Sequence, residues 1–142
     1  MSTFQVGDIV VGSNSWLNSM IGYGGQPGVL IHSGMYSAII HLFIIKEDIT
    51  LMNEYVDKLD LKDKNEKLKV GDLVVLKDEV IKYLRISGAG TIISRTIIRT
   101  SDFDGDWTND IIHAFLVFFP EMDYEYTIPC NCLRLFSPVK ID

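Results

Sequence analysis

Three histidines and two cysteines hold most of the catalytic and metal-binding potential of the sequence: His32, His41, His113, Cys130 and Cys132. A zinc site needs three or four ligands, and Cys130-x-Cys132 with remote histidines is not a zinc spacing, so neither a metal nor any other cofactor is expected. The two cysteines are separated by one residue, which on a strand turns them onto one face but too far apart for an easy bond. Reduced thiols are the expectation. A second group is acidic: Asp102, Asp104, Asp106 and Asp110 surround Gly105 and could offer oxygens to a hard cation. The EF-hand spacing requires Gly at the sixth loop position and Glu at the twelfth, where this chain places Trp107 and His113. These aspartates therefore read as a solvated acidic loop at a hairpin.

The elements that must position these groups are strands. The chain has 142 residues, of which 47% are hydrophobic and 23% charged. That fits one or two small folded domains and excludes a wholly disordered chain. Val, Ile, Leu and Phe fill the apolar segments, while Gly-rich and Asp-Gly clusters separate them, so the fold class expected is all-β. Only Ile49 to Leu59 approaches helical spacing, through Ile49, Met52, Tyr55, Val56 and Leu59, and short turns account for it nearly as well. The longest apolar run, Ala38 to Ile45, is eight residues, far short of the roughly 18 that a spanning helix needs, so no membrane partner is expected. Met1 to Gln5 lacks the basic and apolar regions of a secretory leader, which predicts a cytoplasmic location.

The sequence also repeats. Val6-Gly7-Asp8-Ile9-Val10-Val11 returns as Val70-Gly71-Asp72-Leu73-Val74-Val75. Gly28-Val29-Leu30-Ile31 is similar to Gly90-Thr91-Ile92-Ile93, and Ile39-Ile40-His41-Leu42-Phe43 to Ile111-Ile112-His113-Ala114-Phe115, which puts His41 and His113 at equivalent positions and favours a structural role for both. The copies close at Leu61 and Leu133. Two small β-domains related by internal duplication follow: residues 1–61, a charged linker at 62–68, and residues 69–142, the second copy carrying an acidic insertion between Ser94 and Asp110.

In the second copy, Val70-Gly71-Asp72-Leu73-Val74-Val75, Gly88-Ala89-Gly90-Thr91, Phe115-Leu116-Val117-Phe118-Phe119 and the closing Tyr126, Pro129 and Leu133 resemble a small Src-homology-3-like barrel. The resemblance covers residues 68–138 and, more loosely, 4–61. It is strongest to the short barrel proteins of tailed bacteriophages. It implies a tandem pair of such barrels in a non-enzymatic interaction or structural protein of the virion (capsid, neck or tail), located in the cytoplasm of the infected host cell or in the particle. Two alternatives come from other classes. Gly7-Asp8-Ile9-Val10, His32 and the late Asn131-Cys132 resemble circularly permuted papain-like hydrolases and acyltransferases, in which a strand histidine activates a cysteine at a helix N-terminus. Only ten residues follow Cys132, with Pro138 among them, and they do not read as that helix. A nucleic-acid-binding barrel would use Lys77, Lys82, Arg85, Arg95 and Arg99, but a net charge of −6 and the lack of aromatics among them make that partner unexpected.

The pattern of charge and apolar residues points to protein partners. Strands Ala38 to Ile45 and Ile111 to Phe119 do not alternate with polar residues, so both of their faces must be covered, by the sister domain or by another chain. Asp8 is the only charged residue among the first 45, and Ser13 to Gln26 holds Trp16, Met20, Ile21 and Tyr23. Interface cores are poor in charge and rich in aromatics and Met, so these four are the expected contact residues of a homo-oligomer or of a complex with other virion proteins. Charge is also segregated: seven carboxylates and no cation lie between Asp102 and Glu125, while nine of thirteen basic residues lie between Lys62 and Arg99. Such segregation suits pairing between subunits.

Overall fold

The structure, a computed structural model, describes residues 4–12, 26–62, 67–101 and 107–136. The first half forms β1 (Ile9–Gly12), β2 (Gly28–Ser33), β3 (Ser37–Leu42), β4 (Glu47–Met52), a 3-10 turn (Asn53–Tyr55) and β5 (Val56–Lys58). The second forms β6 (Leu73–Leu76), a single helical turn α1 (Asp78–Ile81), β7 (Gly90–Ser101), β8 (Trp107–Phe119), β9 (Tyr124–Pro129), a 3-10 turn (Cys130–Cys132) and β10 (Leu133–Leu135). Each half builds one five-stranded antiparallel sheet. The strand orders, β4-β3-β2-β1-β5 and β9-β8-β7-β6-β10, are the same. The expected all-β class is thus observed, and the segment with helix-like spacing, Ile49 to Leu59, is divided among β4, the 3-10 turn and β5.

The repeated Val-Gly-Asp motif has one local cause in both halves. Gly7 and Gly71 have φ of 97° and 94°, a region costly for any residue with a Cβ. The Gly7 amide donates to the Leu30 carbonyl (2.8 Å) and the Gly71 amide to the Ile92 carbonyl (2.9 Å). The following aspartates close the turn, Asp8 accepting from the Gln5 amide and Asp72 from the Lys69 amide, each at 2.9 Å. Gly28 and Gly90 begin the next strands where the chain crosses its neighbour. A Cβ on Gly28 would lie 2.8 Å from the His41 carbonyl oxygen, and one on Gly90 2.9 Å from that of Phe118. Both strands then carry a register shift, between Leu30 and His32 and between Ile92 and Ser94.

Pairing sets the third strands differently from their sequence likeness. His41 opposes Val29 and Phe118 opposes Thr91, so His41 corresponds to Phe118 and not to His113. The closing residues are likewise Val56 and Leu133, which face Gly12 and Leu76, in place of Leu61 and Leu133. Apolar runs match one another at several offsets, and only hydrogen bonding to the glycine-led strand selects one. The extra length of the second half lengthens the β7–β8 hairpin itself: these strands have 12 and 13 residues, against six each in β2 and β3.

Alternation along the first sheet separates two cores. Val10, Leu30, Ala38, Ile40, Leu42, Leu51 and Val56 form a small core of the first half. The residues between them, Ile9, Val29, Ile31, Ile39 and Phe43, join a larger core with Val74, Ile92, Ile98, Ala114, Phe115, Val117, Phe119 and Leu133 of the second half. The sister half therefore covers the second apolar face of β2 and β3. The equivalent isoleucines Ile31 and Ile93 show the asymmetry of this packing, being 2% and 44% exposed. Within the charged linker, Leu68 is buried and belongs to the larger core.

Candidate functional site

Where the first sheet meets the long hairpin, the β3–β4 turn faces β7 and β9 across a cleft of about 490 Å³. β3 ends at Leu42, earlier than the apolar run suggests, and residues 43–46 turn the chain back. Phe43 folds into the core while Lys46 stays exposed, its amide donating to the Leu42 carbonyl at 2.7 Å. Lys46 has φ of 59°, a left-handed conformation unusual for a residue with a Cβ. Its Nζ lies 6.0 Å from the centre of the Tyr124 ring, so the side chain spans from the first half to the second.

His41 and Asp48 directly oppose each other on β3 and β4. Their Nδ1 and Oδ1 atoms are 2.7 Å apart. A carboxylate can only accept, so Nδ1 carries the proton and Nε2 is the nitrogen left for other partners. The opposite wall comes from Thr96, Ile97, Ile98 and Arg99 of β7 and Thr127 of β9. The cleft thus combines two cations, an oriented imidazole, two hydroxyl groups and one carboxylate already engaged by the imidazole. It can bind a polar ligand. An acyl-transfer reaction would need an activated nucleophile, and none lines it.

The thiols are placed elsewhere, in surroundings that disfavour the thiolate. Cys130, Asn131 and His113 line a second cleft of about 460 Å³ together with Val6, Gly7, Ile111 and Ile112. Asn131 Nδ2 donates to the Gly7 carbonyl at 3.3 Å, fastening the late 3-10 turn to the first half. Partial burial pushes the Cys130 thiol up, with Arg95 working weakly against it. Cys132 is fully buried, and desolvation raises its thiol far above the ordinary range despite the opposing charge of Lys77. Both cysteines occupy a three-residue 3-10 turn that runs into β10, so no helix terminus favours a thiolate.

Several expected site residues lie outside the described residues: Trp16, Met20, Ile21 and Tyr23 of the interface segment, and Asp102, Asp104 and Asp106 of the acidic loop. Asp110 belongs to the backbone of β8. Of the basic residues that a nucleic-acid surface would use, Lys77 is buried, out of reach of a phosphate backbone. Among the described residues no three His, Cys, Asp or Glu side chains gather to hold a metal, and no helix is long and apolar enough to cross a membrane. Sequence reading missed the seam cleft, because His41 and Asp48 meet only once the turn at 43–46 is recognised inside what reads as a continuous apolar strand. No protein-family model matches the chain, and no curated protein matches its sequence significantly.

Proposed function

We propose that the chain is a non-enzymatic interaction module: two tandem Src-homology-3-like barrels related by duplication, working in a homo-oligomer or among the virion proteins of a tailed phage. The shared strand order, the paired Gly7 and Gly71 turns and the 3-10 turn before each closing strand support the tandem reading. The resemblance of the motifs supplies the phage.

The observation that carries the interaction role is the turn between β2 and β3. Met35 and Tyr36 at its tip are 79% and 76% exposed, the most exposed large apolar side chains among the described residues. The turn is held from beneath: Asn53 Nδ2 donates to the carbonyls of Gly34 (3.2 Å) and Met35 (3.1 Å), and the Asn53 amide donates to Tyr36 (2.8 Å). The hydrogen bonds fix the backbone of the turn, so little backbone freedom is left to lose when Met35 and Tyr36 are buried by a partner, which is how preorganised contacts gain affinity. Trp16, Met20, Ile21 and Tyr23, which lie outside the described residues, are proposed as further contact residues.

Sedimentation of the purified chain over a concentration series, with mass spectrometry of purified phage particles, tests this. Assembly is expected for the wild type. Met35→Ser with Tyr36→Ser, or Trp16→Asp, should weaken it without unfolding the chain. A wild-type monomer at every concentration, together with absence of the chain from particles, would overturn the reading.

A further inference from the structure

Strand pairing gives each half one row of residues that crosses all five strands on the outer face of its sheet. In the first half the row is Leu59, Ile9, Val29, His41 and Asp48: the Leu59 amide donates to the Ile9 carbonyl, and the others oppose one another in turn across the strand pairs. In the second half the same pairings line up Phe136, Leu73, Thr91, Phe118 and Glu125. Ile9 and Val29 are buried in the core shared with the second half. Their counterparts lack that cover: Leu73 is 45% exposed and Phe136 41%, with Thr91 and Phe118 half-buried between them and Glu125. We propose that this outer face of the second half packs against the same face of a second copy of the chain, forming a dimer about a two-fold axis.

The equivalent row of the first half already meets a sheet of this same chain. Ile31 beside it is buried in the shared core, whereas the corresponding Ile93 is 44% exposed. The open row thus keeps the apolar character that sheet-on-sheet packing uses. It is also continuous with the packing inside the chain. Side chains two apart on a strand share a face, so Phe118 lies on the face of Ala114 and of its neighbour Thr96, and Ile98 follows Thr96 on that face of β7. Ala114 and Ile98 are buried in the shared core, and Thr96 and Ile98 border the seam cleft together with His41 and Phe43. The first half therefore covers one end of this face and stops short of the other. An apolar patch left open beside a packed interface is a surface made for docking.

Charge favours a second copy over a foreign partner. A protein steered to a chain of net charge −6 would be basic. The row offers such a partner only Glu125, at the β9 edge, and Arg134 stands at the opposite edge, on β10. The middle of the face is uncharged, as the core of a dimer interface is. A two-fold axis along the row suits this layout, because it sets Leu73 against the partner's Leu73 and makes the contact close on itself. Such an axis crosses the strands, so the ends of the two faces that carry the first halves point away from each other. An axis parallel to the strands would instead drive the first half of one copy into the β7–β8 hairpin of the other.

Sedimentation equilibrium of the full chain over a concentration series, at low and at high salt, tests this. The wild type is expected to dimerise, more tightly as salt is added, since screening relieves repulsion between two acidic chains while the contact itself is apolar. Leu73→Asp and Leu73→Lys should each raise the dissociation constant at least about tenfold, because a charge would be buried without a partner, and should leave the melting temperature of the dilute chain unchanged. An equimolar mixture of the two should dimerise again, as the axis brings the opposite charges together. Ile97→Asp alters a residue of similar exposure on the other face of β7, where it opposes His113, and should change nothing. The proposal is overturned if the wild type stays monomeric at every concentration, if neither Leu73 variant weakens the dimer, if their mixture stays monomeric, or if Ile97→Asp weakens the dimer as much. Self-association that is lost in Met35→Ser with Tyr36→Ser but kept in both Leu73 variants also overturns it, and leaves standing the interaction role, which rests on the β2–β3 turn of the other half.

Discussion

At the scale of the residue, Cys132 shows how a reactive group becomes a structural one. Its thiol is fully buried, so the charged form is disfavoured in the folded protein relative to the unfolded chain, where a thiol ionises near pH 8.5. The folded pKa is thus the higher of the two. Stability from this group is undiminished below the unfolded pKa and is lost as pH rises between the two values. By about pH 10 the loss should reach about 2 kcal/mol. Urea unfolding at neutral and alkaline pH checks this: the drop should be smaller by about that amount in Cys132→Ala, although that variant starts from a lower stability because of its cavity. Equal drops in both proteins would show that the thiol ionises freely and would reopen the cysteine-hydrolase alternative. Alkylating reagents should label Cys130 slowly and Cys132 only on unfolding.

At the scale of the element, the start of β2 and of β7 obeys one constraint twice. Gly28 sits against the Ile40 side chain and the His41 carbonyl, and Gly90 against Val117 and the Phe118 carbonyl. A backbone oxygen in a paired strand cannot move aside without breaking its ladder, so a methyl group at either position forces the sheet apart. Gly28→Ala and Gly90→Ala are each expected to destabilise by about 1–3 kcal/mol in chemical denaturation, the range for overpacking. Costs below a few tenths of a kcal/mol would mean that the crossings are looser than they look. The pair also explains why glycine recurs at these two points while the residues after it differ.

At the scale of the whole molecule, the two halves are separate as sheets but not as cores. Ile9, Val29, Ile31, Ile39 and Phe43 are buried in the larger core, whose other buried members are Leu68 of the linker and residues of the second half. Each such side chain gains roughly 1.5–3 kcal/mol from burial. Residues 1–61 expressed alone would expose all five, a patch large enough to aggregate. That fragment is expected to be insoluble or molten, and the full chain to unfold in one calorimetric transition with matching van't Hoff and calorimetric enthalpies. Two resolved transitions, or a soluble folded fragment, would show instead that the halves are independent domains resting on each other.

What the sequence alone determined is local. The Val-Gly-Asp motif predicts its own turn in both copies because positive φ at Gly7 and Gly71 and the Asp caps are matters of stereochemistry within a few residues. The β class follows from the composition of the strands, and the need for cover on both faces of β3 from their failure to alternate. Tertiary structure decided the rest. Apolar strands can align at several offsets, so the true correspondence of His41 with Phe118 waited on pairing with β2 and β7. Which side chains of β3 faced inward and which met the sister half depended on the same register. The seam cleft joins His41, Lys46 and Asp48 to Arg99 and Thr127. Long-range packing alone brings such residues together, because the cleft exists only where two sheets, each specified locally, bury their remaining apolar faces against one another.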